Sequence, residues 1–465
     1  MSATVLHLLN DAFPGKVVTS GSDAYDNETN TPWSQTCWNP AGAYVQLSSA
    51  QEVAEALKIV NKTGTKFSVR ATGHNPNAGF SSVGPEGVVL DVRRLQSKTL
   101  REDGIAEVGA GNLWGEVYKW LEDQKLSAIG GRDRQVGLAG FLLGGGMGAF
   151  PNLYGLGADG IKSFELVLAD GSIINANAKD HPDLHRALKG GGSNFGIVTR
   201  FDLDTHPLIK VLYTIKLFNP SDYENIIRAT ISAQEAMEKD NRIGLFTNFN
   251  NGFVAVGLLY ADWPEEQPQA FEPFEKLESL MTTLVPPTRG TLLSLAETMG
   301  HAQEPKKRRI GSVTTKVSFD LYAQVYEAWT EITKTLPEGM VLHYTIQPVG
   351  EAGVEAGQVR GGSAMGLQKV PQCWWVFTCE WPQAVSDEAA ERAIEEITDK
   401  TKQMAQEKDL LLDLMCMSFA TAGQKVLSSY GADSLRMLQE TAAKYDPTGV
   451  FQNLQNDGFL LKNSV

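Results

Sequence analysis

Three glycine-rich stretches could do chemistry in this chain: "ATGHN" (71–75), "VGLAGFLLGGGMG" (136–148) and "KGGGSNFGIVT" (189–199). Glycine turns present consecutive backbone N–H donors with no side chain in the way, which makes an anion-binding concavity suited to a pyrophosphate. Any one of them reads equally well as a tight turn. Three within about 130 residues, each beside an expected strand, point to one large ligand. A ring system of isoalloxazine size needs apolar walls and a few fixed polar groups, which "VGLAGFLLG" and "NFGIV" supply. His74, at the tip of the first turn, reads as a turn histidine, a metal ligand, a base or a point of cofactor attachment. A zinc site is poorly supported, because no second ligand follows at the usual spacing. No GxxxxGK[ST] occurs, and "GAGNLWGE" (109–116) spaces its glycines too widely for a G-x-G-x-x-G turn.

The elements that must position these stretches follow from periodicity. "YVQLSSAQEVAEALKIV" (44–60) reads as strand, Ser49 cap and amphipathic helix, with Glu52 at capping-box spacing. "KFSVRAT" and "GVVLDVRRL" alternate as strands on either side of the His74 turn, and "SFELVLADGSIINAN" (163–177) reads as a hairpin about Asp170–Gly171. From about residue 208 the texture changes. Alternating runs at 211–218, 253–262, 311–319, 341–349 and 373–381 are separated by helical segments at 222–239, 321–335 and 385–406. That pattern predicts an α+β chain whose second domain is an antiparallel sheet flanked by helices, with Pro207 and Pro220 marking the boundary.

Composition narrows the class. The 465 residues are 42% hydrophobic and 21% charged, as in a folded globular protein, and carry a net charge of −14. An acidic surface disfavours a nucleic-acid partner. Four cysteines, Cys37, Cys373, Cys379 and Cys416, form neither a zinc pattern nor a disulfide framework. The N-terminus lacks secretory character, and the most apolar stretch, 137–150, is too short and glycine-rich to span a bilayer. An intracellular, cytoplasmic protein with no membrane partner is expected. The oligomeric state is not legible.

Taken in order, "VRATGHN", "VGLAGFLLGGGMG", "GADGIKSFELVLADGSIINAN", "LHRALKGGGSNFGIVTRFDL" and "YDPTGVFQNL" resemble the FAD-linked oxidoreductases of the vanillyl-alcohol oxidase superfamily. The closer resemblance is to short fungal members of the berberine-bridge-enzyme-like group, associated with secondary metabolism. It covers 35–207 and the last twenty or so residues. It implies a two-domain flavoprotein: a PCMH-type FAD-binding domain of residues 1–207, completed by 435–465, and a substrate domain of 208–434. The family turn Arg-small-Gly-Gly-His matches Arg70, Ala71, Thr72, Gly73 and His74, with Thr72 replacing a glycine. The resemblance makes His74 the covalent flavin tether and sets backbone N–H groups from Arg70 to Asn75 on the pyrophosphate. A second tether, a cysteine in relatives, falls on Asp133, so a single covalent link is expected. Val136, Gly137 and Gly140 continue that loop, where Ala139 and Phe141 depart from the usual residues. Gly144, Gly145 and Gly146 match the triple glycine. Gly191, Gly192, Asn194, Gly196, Ile197 and Val198 match the segment lying along the cofactor.

The resemblance further implies a base on the substrate-domain sheet, hydride transfer to flavin N5, and reoxidation by molecular oxygen with release of hydrogen peroxide. A base must face the ring within hydrogen-bond reach of a small-molecule substrate. "VLHYTIQPV" puts His343 and Tyr344 on opposite strand faces, and "CWWVFTCEW" offers Glu380. The stretch resembling a glutamate-bearing family segment has Gln368 and Lys369 instead. Tyr344 is the first expectation for the base and Glu380 the second. An oxidase acting on a small or medium organic substrate is the leading reading. The alternatives are a non-redox cyclisation or isomerisation, or a carbohydrate oxidase whose groove could use Trp374, Trp375 and Trp381.

Overall fold

The structure, a computed structural model, describes residues 1–300 and 304–464. Among these residues the strands form four sheets. The first runs, in spatial order, Val17–Val18, Ala43–Gln46, Val88–Asp91, Phe67–Arg70, and its last three strands are parallel. Parallel neighbours need a crossover, and the helix Ala50–Thr63 supplies one. Ser49 Oγ caps it by accepting from Glu52 N at 3.1 Å, while the Glu52 carboxylate accepts from Ser48 N at 2.8 Å. The second sheet is antiparallel, in the order Lys98–Leu100, Ala106–Gly109, Ile197–Leu203, Ile161–Val167, Ile173–Asn177. Its expected hairpin turns at Gly171, whose φ of +80° suits glycine.

The C-terminal tail comes back to the first sheet. Phe67 N donates to Leu454 O at 3.0 Å, and Asn456 N donates to Phe67 O at 2.7 Å. Asn194 ties the same tail to the third glycine stretch: its amide donates to Phe459 O at 2.9 Å, and its oxygen accepts from Leu461 N at 3.0 Å.

The large sheet has eight antiparallel strands. Their order is Leu280–Thr291, Lys210–Phe218, Phe253–Tyr260, Ile243–Asn250, Val341–Val349, Gln372–Trp381, Lys307–Lys316 and Leu411–Leu412. Helices Tyr223–Met237, Phe319–Thr333 and Asp387–Glu407 cover one face, burying Phe249, Leu342, Tyr344, Ile346, Trp375 and Phe377. The other face turns to the FAD-side core, into which Val211, Tyr213, Val349 and Trp374 pack. Leu280–Thr291 is a strand the periodicity does not announce. It holds Pro286 and Pro287, which an edge tolerates because no second neighbour needs their missing N–H. The helix Glu351–Val359 is likewise absent from the sequence reading.

Candidate functional site

Gly73 adopts φ +73°, a left-handed conformation, and a Cβ there would lie 3.1 Å from Pro32 Cα. Only glycine turns the chain so tightly here, and its carbonyl accepts from Trp33 N at 3.1 Å. The next side chain, His74, is thereby laid on Trp33, with ring centroids 4.5 Å apart and planes 8° from parallel. Arg308, from the large sheet, holds its guanidinium 4.0 Å from the Trp33 ring centroid. It donates to Trp33 O at 2.7 Å and to Glu380 Oε1 at 2.7 Å. The tip of the first glycine turn is therefore braced from the large sheet.

The first two glycine stretches touch. A Cβ at Gly137 would overlap Thr72 Oγ1, so the threonine in place of the family glycine is accommodated by the glycine opposite. Thr72, His74, Gly111 and Gln135 help line a cavity of about 220 Å³. Val136 O accepts from Trp114 N at 2.9 Å. Asp133 is buried, and its Oδ1 accepts from Gln135 N at 2.8 Å, closing the turn. Gly140 has open space where a Cβ would stand, and a Cβ at Gly144 would lie 2.5 Å from Ser418 Oγ. Asn75 Oδ1 accepts from Asn77 N at 2.8 Å, and Ala71 is half-buried.

Two expected cofactor residues have side chains committed elsewhere. Arg70 is buried, donating to Asp91 Oδ2 at 2.7 Å and to Glu28 O at 2.6 Å, with Arg93 bonded to the same two acids. Asn194 is fully buried and bonded to Gly191 O, Phe459 O, Gln452 and Leu461. Each could offer a ligand only its backbone. The glycines of the third stretch meet protein atoms: a Cβ at Gly196 would lie 2.8 Å from Val167 O, and one at Gly192, where φ is +65°, 3.2 Å from Met417 Sδ. Ile197 and Val198 are buried at the start of their strand.

The expected base needs correction. Tyr344 is fully buried on the helix-covered face, stacked on Phe249 at 4.8 Å and surrounded by Trp329, Trp375 and Phe377. Burial pushes its phenol pKa well up, and its hydroxyl has no protein partner. A phenol in that apolar layer has no route to a substrate. Glu380 does lie on the opposite face, but its carboxylate holds Arg308.

Strand alternation puts different residues on the face away from the three helices: Asn248 and Asn250 on one strand, His343, Thr345 and Gln347 on the next. Asn250 Nδ2 donates to Asn248 Oδ1 at 2.8 Å. The Asn248 amide in turn donates to Thr345 Oγ1 at 2.8 Å and to His343 Nδ1 at 3.2 Å. Gln347 Oε1 accepts from Arg132, which stands next to Asp133 in the second glycine loop. This row escaped the sequence reading apart from His343; the 341–349 alternation would have added Thr345 and Gln347 had its outward face been known, whereas Asn248 and Asn250 lie on a strand, Ile243–Asn250, that the periodicity does not announce.

Cavity, glycine cradle and sheet row suit FAD. The open space at Gly140 leaves room for a ligand's close approach, and buried hydroxyls of Ser81, Ser312, Thr314 and Ser418 have no protein partner. Among the described residues no cluster of His, Cys, Asp and Glu could hold a metal, and no helix is long and apolar enough to cross a membrane.

Comparison with known proteins points the same way. The FAD binding domain family matches residues 41–177. An FAD-dependent monooxygenase of Arthrobotrys oligospora is 36% identical over 459 residues, covering 97% of this chain and 88% of the relative. Xylooligosaccharide oxidase from Myceliophthora thermophila superposes with a TM-score of 0.83 at 19% identity, covering 98% of this chain and 99% of that one. Glucooligosaccharide oxidase from Acremonium strictum, a 6-S-cysteinyl, 8α-N1-histidyl FAD protein, has a TM-score of 0.81 at 17% identity, covering 97% and 99%. This chain is an FAD-dependent oxidoreductase and belongs to the vanillyl-alcohol oxidase superfamily, with the berberine-bridge-enzyme-like proteins.

Proposed function

We propose that the protein oxidises an organic substrate held between the glycine-rich cradle and the polar face of the large sheet. The observation that carries this reading is the bond between Arg132 of the second glycine loop and Gln347 of the sheet, which joins the two walls of one cleft. Residues 1–207 with 435–465 hold the cofactor, and 208–434 present the substrate. Bound FAD supplies the two-electron acceptor. Backbone donors of 70–75 and 137–144 would hold the pyrophosphate, and the backbone from Gly192 to Val198 would line the cofactor. His74 is the single covalent tether, its ring plane set by Trp33; Asp133, at the position of the second tether, forms no thioether. Asn248, His343 and Thr345 orient the substrate.

Molecular oxygen is the final acceptor in this reading. The name of the Arthrobotrys relative adds oxygen insertion as a route to be separated from peroxide release. The names of the two structural neighbours weigh toward carbohydrate oxidation, the alternative from the sequence, more than toward a plain small-molecule oxidase.

Three measurements test the proposal. Anaerobic addition of phenols, secondary alcohols, amines and oligosaccharides should bleach the flavin with one class; a protein fully loaded with FAD that no class reduces would refute oxidation. Labelled oxygen then separates insertion into product from release as peroxide. Acid precipitation should leave flavin in the wild-type pellet, on the His74 peptide, and in the supernatant for His74→Ala. Full release from wild type would make His74 a turn residue only.

A further inference from the structure

Most buried and half-buried arginines in this protein are matched by acids, although half-buried Arg360 donates to Tyr154 O at 2.9 Å. Arg70 and Arg93 share Glu28 and Asp91, Arg200 holds Asp202 at 2.7 Å, and Arg308 holds Glu380 at 2.7 Å. Arg132 differs. It is half-buried, bonds the neutral amide of Gln347, and has no carboxylate in salt-bridge contact among the described residues. Burial alone draws its pKa down, to about 10, with no acid opposing it. The adjacent Asp133 is turned into its own loop by the bond from Gln135 N. Withdrawing a cation from water without a counter-ion is costly, and a guanidinium so placed presents a planar set of donors matched to an oxyanion.

The surroundings say which oxyanion. Arg132 reaches the sheet at Gln347 and not the His74 turn, so it faces the substrate wall. Along that wall the strand rises about 3.3 Å per residue, placing Gln347, Thr345 and His343 in one row about 13 Å long. The acid on that face of the sheet, Glu380, is already paired with Arg308. A cation without an available carboxylate on the sheet makes a wall for a ligand that brings its own negative charge.

We infer that the substrate carries an ionised oxygen, a carboxylate, enolate or acidic phenolate, on an aromatic or a sugar scaffold, and that Arg132 binds it. This rests on the proposed cleft and goes beyond it by naming the charge.

The test uses the FAD-loaded protein and pairs of probes that differ in charge: benzoate with methyl benzoate, and glucuronate with glucose. Binding is read as perturbation of the flavin absorbance, without turnover. In at least one pair the anion should bind about tenfold or more tightly than its neutral partner, the scale of one charge-assisted contact. Arg132→Gln should abolish that preference. Gln347→Glu should abolish it too, by giving Arg132 an internal carboxylate, so the idea survives if one variant fails to fold. Equal binding of anion and neutral partner in both pairs would overturn the inference, as would a preference that survives both variants. If Arg132 serves an anionic part of the flavin instead, Arg132→Gln will shift the unliganded flavin spectrum or weaken FAD retention while the preference persists, which also overturns it. Failure of every substrate to bleach the flavin leaves these readouts intact, so the two proposals fail separately.

Discussion

The two faces of the strand Val341–Val349 lie one side chain apart and do opposite work. Leu342, Tyr344 and Ile346 enter an apolar layer under three helices, where even a phenol hydroxyl finds no partner. His343, Thr345 and Gln347 look toward the cofactor side and are tied laterally to Asn248 and Arg132. A tyrosine and a histidine are both plausible proton carriers in isolation. What separates them is the layer each enters: the helix layer packs apolar rings around Tyr344, whereas on the other face His343 and Thr345 stay partly exposed and only Gln347, against Arg132, is buried.

Five single substitutions would break or sharpen that contrast. Tyr344→Ala should have the largest effect on stability, about 3–5 kcal/mol by denaturant unfolding, because it leaves a cavity among fully packed rings. His343→Ala, one residue away, should instead change which substrates bleach the flavin while the unfolding midpoint holds; the reverse pattern would exchange the roles of the two faces. Glu380→Gln strips the carboxylate from a buried guanidinium and should cost about 2–3 kcal/mol, below the full penalty for a buried pair because Glu380 is partly exposed. It should also loosen the Arg308–Trp33–His74 brace, seen as a smaller covalent flavin fraction.

On the opposite wall, Gly137→Ala forces a methyl group onto Thr72 Oγ1 and should cost about 1–3 kcal/mol with reduced FAD content. Adding Thr72→Gly should restore much of both, and a double variant no better than the single one would show that the contact is not what matters. Tyr344→Phe should be smallest, within about 1 kcal/mol and neutral or stabilising, since it removes an unpartnered buried hydroxyl. Substrate oxidation should be unchanged in it. A collapse of turnover with folding intact would restore Tyr344 as the base.

Much of this was legible in advance because it is local. Alternation announced five of the eight strands of the large sheet but not Ile243–Asn250, Leu280–Thr291 or Leu411–Leu412, and glycine density announced the turns whose left-handed residues, Gly73 and Gly192, the structure contains. The strand Leu280–Thr291 was hidden by its prolines, which local propensity scores against a strand and only an edge position excuses. Arg70 and Asn194 sit inside motif segments, yet nothing in their neighbours reveals that their side chains are held by Glu28 and Asp91, or by the returning tail.

The sequence by itself determined that His343 and Tyr344 point in opposite directions, since side chains alternate along any extended chain. Which direction is sealed under helices and which meets the glycine loop was decided by the tertiary structure alone. Helices Tyr223–Met237, Phe319–Thr333 and Asp387–Glu407 bury one side of the sheet, and the glycine loop bearing Arg132 meets the other. A strand encodes its two faces in the spacing of its own residues, but the environment of each face is made by elements distant in the chain.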